Sequence, residues 1–127
     1  DGEHMNEIDR VELSLPAQKE YARLLRLAVA GIASRMNFNY DGVEDLKIGV
    51  EEAYLLAIND PKQKRFDLAF EIYPNRLEIL ATEIRAIGDL EELSQKFGFS
   101  ILRSVMDEIE WNRVKGAGHL RMVKNIY

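Results

Sequence analysis

Residues 34–53 read SRMNFNYDGVEDLKIGVEEA. The stretch closes one helical pattern, crosses a short connector and opens another. Asn37-Phe38-Asn39-Tyr40 is the connector. Asp41 with Glu44 three residues on is a capping-box pattern, so a second helix is expected to start at Asp41. Val43, Leu46, Val50, Ala53, Leu56 and Ala57 give that helix its apolar stripe. Asn59-Asp60-Pro61 ends it, because proline disfavours helical geometry in the residue before it. Upstream, Tyr21, Leu24, Leu25, Ala28, Val29 and Ile32 recur at helical spacing, predicting a first helix from about Ala17 to Arg35. Two consecutive helices thus occupy the first half of the chain.

Strands flank them. Val11, Leu13 and Leu15 alternate with Glu12 and Ser14, and Pro16 stops the run. Phe66, Leu68, Phe70 and Ile72 alternate, Pro74-Asn75 turns, and Leu77, Ile79 and Ala81 form the second arm of a hairpin. Asp89 with Glu92 is a weak helix start, and Phe97 to Met106 reads as helical. Ile109 and Trp111 suggest a strand, Gly116-Ala117-Gly118 a turn, and Leu120 and Met122 a last strand. The order β-α-α-β-β-α-β-β predicts an α+β fold: a two-layer sandwich of a mostly antiparallel sheet with helices on one face.

Composition agrees with one domain. The chain has 127 residues, 46% hydrophobic and 31% charged, an ordinary globular mix. Asp1-Gly2-Glu3-His4-Met5 looks like a leader, leaving a single domain over 6–127. Cysteine is absent, which excludes thiolate zinc sites and thiol nucleophiles. Net charge is −5, or −3 without Asp1 and Glu3, a poor balance for wrapping nucleic acid. No apolar run approaches ~20 residues, so no membrane span is expected, and a cytoplasmic protein is the default.

The 34–53 block resembles the bacterial anti-sigma factor serine kinases, the switch-protein kinases of the general stress and sporulation responses. Val11–Leu15 with Pro16-Ala17 is similar to the same family, as are Gly98-Phe99-Ser100-Ile101-Leu102 and Val105-Met106-Asp107-Glu108-Ile109. The resemblance implies the Bergerat, or histidine-kinase-like, ATPase fold. It also implies a protein that holds a sigma factor away from RNA polymerase and phosphorylates a serine on an anti-anti-sigma protein.

The nucleotide site implied by the resemblance is degraded at four places. Its glutamate, a general base, matches Glu52. Its magnesium-holding asparagine, four residues on, falls on Leu56, which offers no oxygen ligand. Asn59 and Asp60 lie further along and are an improbable rescue. An adenine-reading aspartate-x-glycine aligns with Thr82 and Ile84. The lid over the phosphates shrinks to about a dozen residues between Glu83 and Lys96. A glycine-x-glycine at a helix start becomes Lys96-Phe97-Gly98, where Phe97 and Phe99 suggest packing. Glu52, Asn59, Asp60, Thr82 and Gly98 are therefore the remnants of an ATP site, with no metal and no cofactor expected. An active kinase using ATP and magnesium is the alternative.

The resemblance also assigns partner contacts on the first helix to Arg23 and Arg26, three apart and so on one face. The bland reading is a pair of solvated arginines covering apolar neighbours. Homodimers through the sheet belong to the family as well. His119 has no histidine or cysteine partner for a metal, and Ser14, Ser34, Ser94, Ser100 and Ser104 have no adjacent base. Lys62-Gln63-Lys64-Arg65 reads as a solvated turn, too short a run to claim nucleic acid.

Overall fold

Tyr54 shows why the first helix starts later than its periodicity predicts. In the computed structural model its hydroxyl lies 2.6 Å from the Pro16 carbonyl and 2.5 Å from that of Gln18, and it accepts the Gln18 amide at 3.1 Å. Gln18 is held extended, with φ −132° and ψ 140°. A 3-10 turn over Lys19–Tyr21 follows, and only then does α1 (Ala22–Ser34) begin. The predicted start at Ala17 is corrected by this anchor, which comes from a residue 36 positions away.

The structure describes residues 9–85 and 90–127. The leader 1–5 and the helix start at Asp89 lie outside the described residues. Before α1 stands β1 (Asp9–Pro16), and after it comes α2 (Tyr40–Ile58). Asn39, not Asp41, caps α2: its side-chain oxygen accepts the Gly42 amide at 2.8 Å. Glu44 does not complete a capping box but takes the Lys47 ammonium at 2.9 Å. The remaining elements are β2 (Arg65–Ile72), β3 (Arg76–Ile84), α3 (Leu90–Ser94), α4 (Phe97–Val105), β4 (Glu108–Val114) and β5 (Ala117–Asn125).

The five strands form one antiparallel sheet in the order β1-β2-β3-β5-β4. Its register aligns apolar rows. Leu13, Leu68, Ala81, Leu120 and Trp111 stand side by side, and so do Val11, Phe70, Ile79, Met122 and Ile109. Most of these side chains join Leu25, Val29, Leu46, Val50 and Leu102 from the helices in one core. Because side chains alternate across a strand, the opposite face is charged. There Glu78, 6% exposed, receives Arg76 Nε at 2.7 Å and Arg121 Nε at 3.0 Å. Burial alone would raise its pKa; the hydrogen bonds from Arg121 and Arg76 reverse that and hold it below the usual carboxylate range.

The last hairpin also differs from expectation. Lys115 and Gly116 carry the turn, with φ 53° and 84°, as a two-residue hairpin loop requires. Gly118 is already in β5, opposite Arg113. Its Cβ would lie 1.9 Å from Trp111 Cη2, so it is glycine because the indole lies against its backbone.

Candidate functional site

On α2, Glu52 and Leu56 are one turn apart and share a face. α4 packs there. A Cβ on Gly98 would lie 3.0 Å from Glu52 Oε1 and 3.4 Å from Leu56 Cγ and Cδ2. The start of α4 is thus seated on Glu52 and Leu56, and glycine permits that approach. Burial, and then the charge of neighbouring Glu51, hold the Glu52 carboxyl above its ordinary value. Phe99 is buried in the core, whereas Phe97 is 80% exposed. Only one of the two phenylalanines around Gly98 packs inward, contrary to expectation.

The structure does not bring the other site candidates to this junction. Thr82 pairs with Asp67 on the charged side of the sheet, where it borders a groove with Ser14 and Asp67. Asn59 is exposed at the end of α2, and Asp60 accepts the Lys62 amide at 2.9 Å. The strand end itself is irregular. Pairing of β3 with β5 shifts between Ala81 and Ile84, and Glu83 takes φ 58°. Left-handed backbone is where glycine belongs. Thr82 and Ile84, the positions aligned with the aspartate-x-glycine, flank this left-handed residue. Ala81 is fully buried and carries no carboxylate.

Gln63 is the residue that sequence reasoning missed. It lies in the basic run read as a solvated turn, yet it is 7% exposed. Its amide nitrogen donates to Arg65 O at 2.7 Å and Glu83 O at 3.0 Å, and its oxygen accepts the Arg85 amide at 2.9 Å. It clamps the bulged end of β3 to the start of β2.

The two arginines of α1 are used differently. Arg26 reaches across to α2 and pairs with Glu51 at 2.5 Å. Arg23 is exposed and makes no ion pair among the described residues. His119 Nε2 lies 3.8 Å from Glu83 Oε2 at the sheet surface. Ser94, Ser100 and Ser104 donate to carbonyls within their own helices. Among the described residues, no group of three or more histidine, aspartate or glutamate side chains could hold a metal ion.

No protein-family profile matches the chain. It is, however, 30% identical over 133 aligned positions to the serine-protein kinase RsbW of Oceanobacillus iheyensis, covering 88% of this chain and 84% of that one. The chain belongs to the RsbW family. It is also 35% identical over 97 positions to the Bacillus subtilis RsbW, covering 73% of this chain and 61% of that protein. For the Bacillus velezensis RsbW the identity is 35% over 95 positions, with 72% and 59% covered. The chain thus spans about three-fifths of those two proteins. A crystal structure of the RsbU and RsbW domains of Rv1364c from Mycobacterium tuberculosis matches with a TM-score of 0.71 at 11% identity. It covers 91% of this chain and 32% of that one. That likeness supports the fold, the histidine-kinase-like sandwich expected above. Among the described residues of this RsbW-family chain, no helix is long and apolar enough to cross a membrane.

Proposed function

We propose that this RsbW-family chain regulates transcription by holding protein partners, a sigma factor, an anti-anti-sigma protein or both, and that it does so without phosphoryl transfer. One observation carries the reading: α4 is seated on Leu56 and Glu52, with a leucine where magnesium would need an oxygen. Phosphoryl transfer depends on positioning and charge neutralisation, which such a site supplies poorly. The first-helix arginines are the proposed partner contacts. Arg23 is the exposed one, and arginine suits an acidic interface through its planar fork. Arg26, tied to Glu51, positions α1 against α2.

Thermal melting with and without Mg-ATP tests the nucleotide half. A ligand at 100 times its dissociation constant would stabilise the fold by about 2.7 kcal/mol, and no shift is expected. Titration of a purified sigma factor and anti-anti-sigma protein against the chain and its Arg23→Glu variant tests the partner half. Binding that the variant abolishes is the expected result; binding by neither partner refutes it.

The second reading, an ATP-dependent serine kinase of an anti-anti-sigma protein, has one observation in its favour. Glu52 keeps the general-base position with its proton affinity raised by burial. Transfer of labelled phosphate from ATP to the anti-anti-sigma protein, lost on Glu52→Gln, would establish it over the first.

A further inference from the structure

The helices do not fully cover the sheet at the end where β1 starts. Val11 belongs to the helix-facing row with Phe70, Ile79, Met122 and Ile109, yet it is 41% exposed. Beside it, between the two layers, lies a groove of about 810 Å³. Ile32, Met36 and Ile72 line this groove and also pack against the core, so its floor is apolar. Leu27, 62% exposed, borders it on the helix side. Gly31 lines it too. A Cβ there would meet nothing within 4 Å, and its φ lies outside the left-handed region. Neither crowding within the chain nor backbone conformation requires this glycine, and glycine weakens a helix interior relative to alanine. The missing side chain leaves the groove open on the helix side.

Size and charge decide what fits. One turn of α-helix with its side chains is ~10–12 Å across and ~5.4 Å long, which is about 400–600 Å³. The groove therefore holds fewer than two turns, less than a docked amphipathic helix needs to place side chains at i and i+7. Its size falls within the roughly 300–1,000 Å³ of small-molecule sites, which combine apolar walls with a few polar groups. The last carbonyls of α1 are already engaged: Gly31 O by Ser34 Oγ at 2.9 Å, Ile32 O by the Arg35 amide at 3.1 Å and Ala33 O by the Met36 amide at 3.0 Å. Arg35 lines the groove, is exposed and makes no ion pair among the described residues. Asn37 lines it as well and is exposed. Arg10 is turned to the other face of the sheet, where it binds Glu71 and Glu12. Among the described lining residues Asp9 is the one acid, on the β1 side. A guanidinium fork and an amide on the α1 side, against one carboxylate on the β1 side, favour an anionic head placed at Arg35.

We propose that this groove binds a free medium-chain carboxylic acid, its alkyl chain lying along Leu27, Gly31, Val11 and Ile72 and its carboxylate taken by Arg35. Such a site stands whether or not the chain also holds a protein partner.

The test titrates the intact chain with decanoate, octanoate, decanol and decyltrimethylammonium, each below its micelle concentration, and follows amide shifts by NMR. Decanoate is expected to move Val11, Leu27, Gly31 and Arg35. It should bind about fifteenfold tighter than octanoate, since each buried methylene is worth a factor of about four. Decanol and the ammonium should bind roughly tenfold more weakly than decanoate, for want of a charge-assisted bond to Arg35. Gly31→Leu fills the groove and is expected to weaken decanoate by roughly tenfold or more while melting no lower than wild type. Leu27→Ser gives the same reading at a residue that is 62% exposed, where no core packing is lost. Arg35→Gln should bring decanoate down to the affinity of decanol and leave decanol unchanged. No shifts with any of the four, equal binding of decanoate and decanol, tighter binding of the ammonium, or unchanged decanoate affinity in any of the three variants overturns the proposal. Phosphatidylglycerol vesicles are expected to leave the chain in the supernatant on sedimentation. Capture by them that Gly31→Leu abolishes also overturns the proposal, since the occupant is then a membrane lipid.

Discussion

Gln63→Met removes the clamp at the end of β3 while keeping the volume of the side chain. Three hydrogen bonds go with it: to Arg65 O at 2.7 Å, to Glu83 O at 3.0 Å and from the Arg85 amide at 2.9 Å. Each is worth roughly 0.5–1.5 kcal/mol net, and a buried partner left unsatisfied costs more, so the expected loss is about 2–4 kcal/mol. That is a large part of the roughly 5–15 kcal/mol that holds a typical domain together. Urea unfolding should show the midpoint lowered by about 1–2 M with the slope unchanged. Glu83→Gly supplies the second half of the test. Relieving the left-handed φ of 58° should return roughly 1 kcal/mol in the wild-type background. It should return less when Gln63 is already Met, because the freed bulge can relax. A loss below ~1 kcal/mol for Gln63→Met, or strictly additive effects of the two changes, would refute the claim that Gln63 enforces the bulge.

Glu52→Gln should melt higher than wild type at neutral pH. Burial and Glu51 raise the folded-state pKa of Glu52 above its ordinary 4.5, so the fold favours the protonated form. That contribution is complete below 4.5 and is lost as pH rises through the folded value. The neutral amide keeps it at neutral pH, and the gap in melting temperature between variant and wild type should close in acid. Gly118→Ala should cost about 1–3 kcal/mol or more, because the new Cβ meets a rigid ring. The collision is with Trp111 Cη2 at 1.9 Å and Cζ2 at 2.4 Å, and fluorescence of this single tryptophan reports it directly.

Side-chain periodicity made the sheet legible. Phe66, Leu68, Phe70 and Ile72 alternate in sequence because one face of β2 is buried, and alternation depends on nothing distant. Helix starts were less legible because they depend on partners elsewhere. Asn39 and Asp41 are both good caps, and only the path of the connector decides between them. The start of α1 depends on Tyr54, which the sequence offers simply as another aromatic in a helix. The left-handed backbone at residue 83 was not legible because it falls on a glutamate, which gives no local sign of positive φ. Had glycine stood there, the irregular strand end would have been visible. Gln63 was hidden by its neighbours Lys62, Lys64 and Arg65, whose exposure hides the burial of the residue between them.

Glu51 and Glu52 are adjacent in sequence but serve opposite sides of α2. Glu51 holds Arg26 of α1, and Glu52 lies against Gly98 of α4. Two neighbouring carboxylates thus fix α2 against both other long helices. In a nucleotide-dependent switch, the relation between such helices would change with what is bound between them. Here the contact between α2 and α4 is made by Leu56, Glu52 and Gly98 themselves. α1 packs on α2 through Leu25, Val29, Leu46 and Val50, and the Arg26–Glu51 ion pair lies beside that shared core. Arg23, Leu27, Gly31 and Arg35 are exposed along one face of α1. On the reading proposed above, a partner docking on α1 meets a preorganised surface, and competition between partners, rather than exchange of nucleotide, would be the means of control.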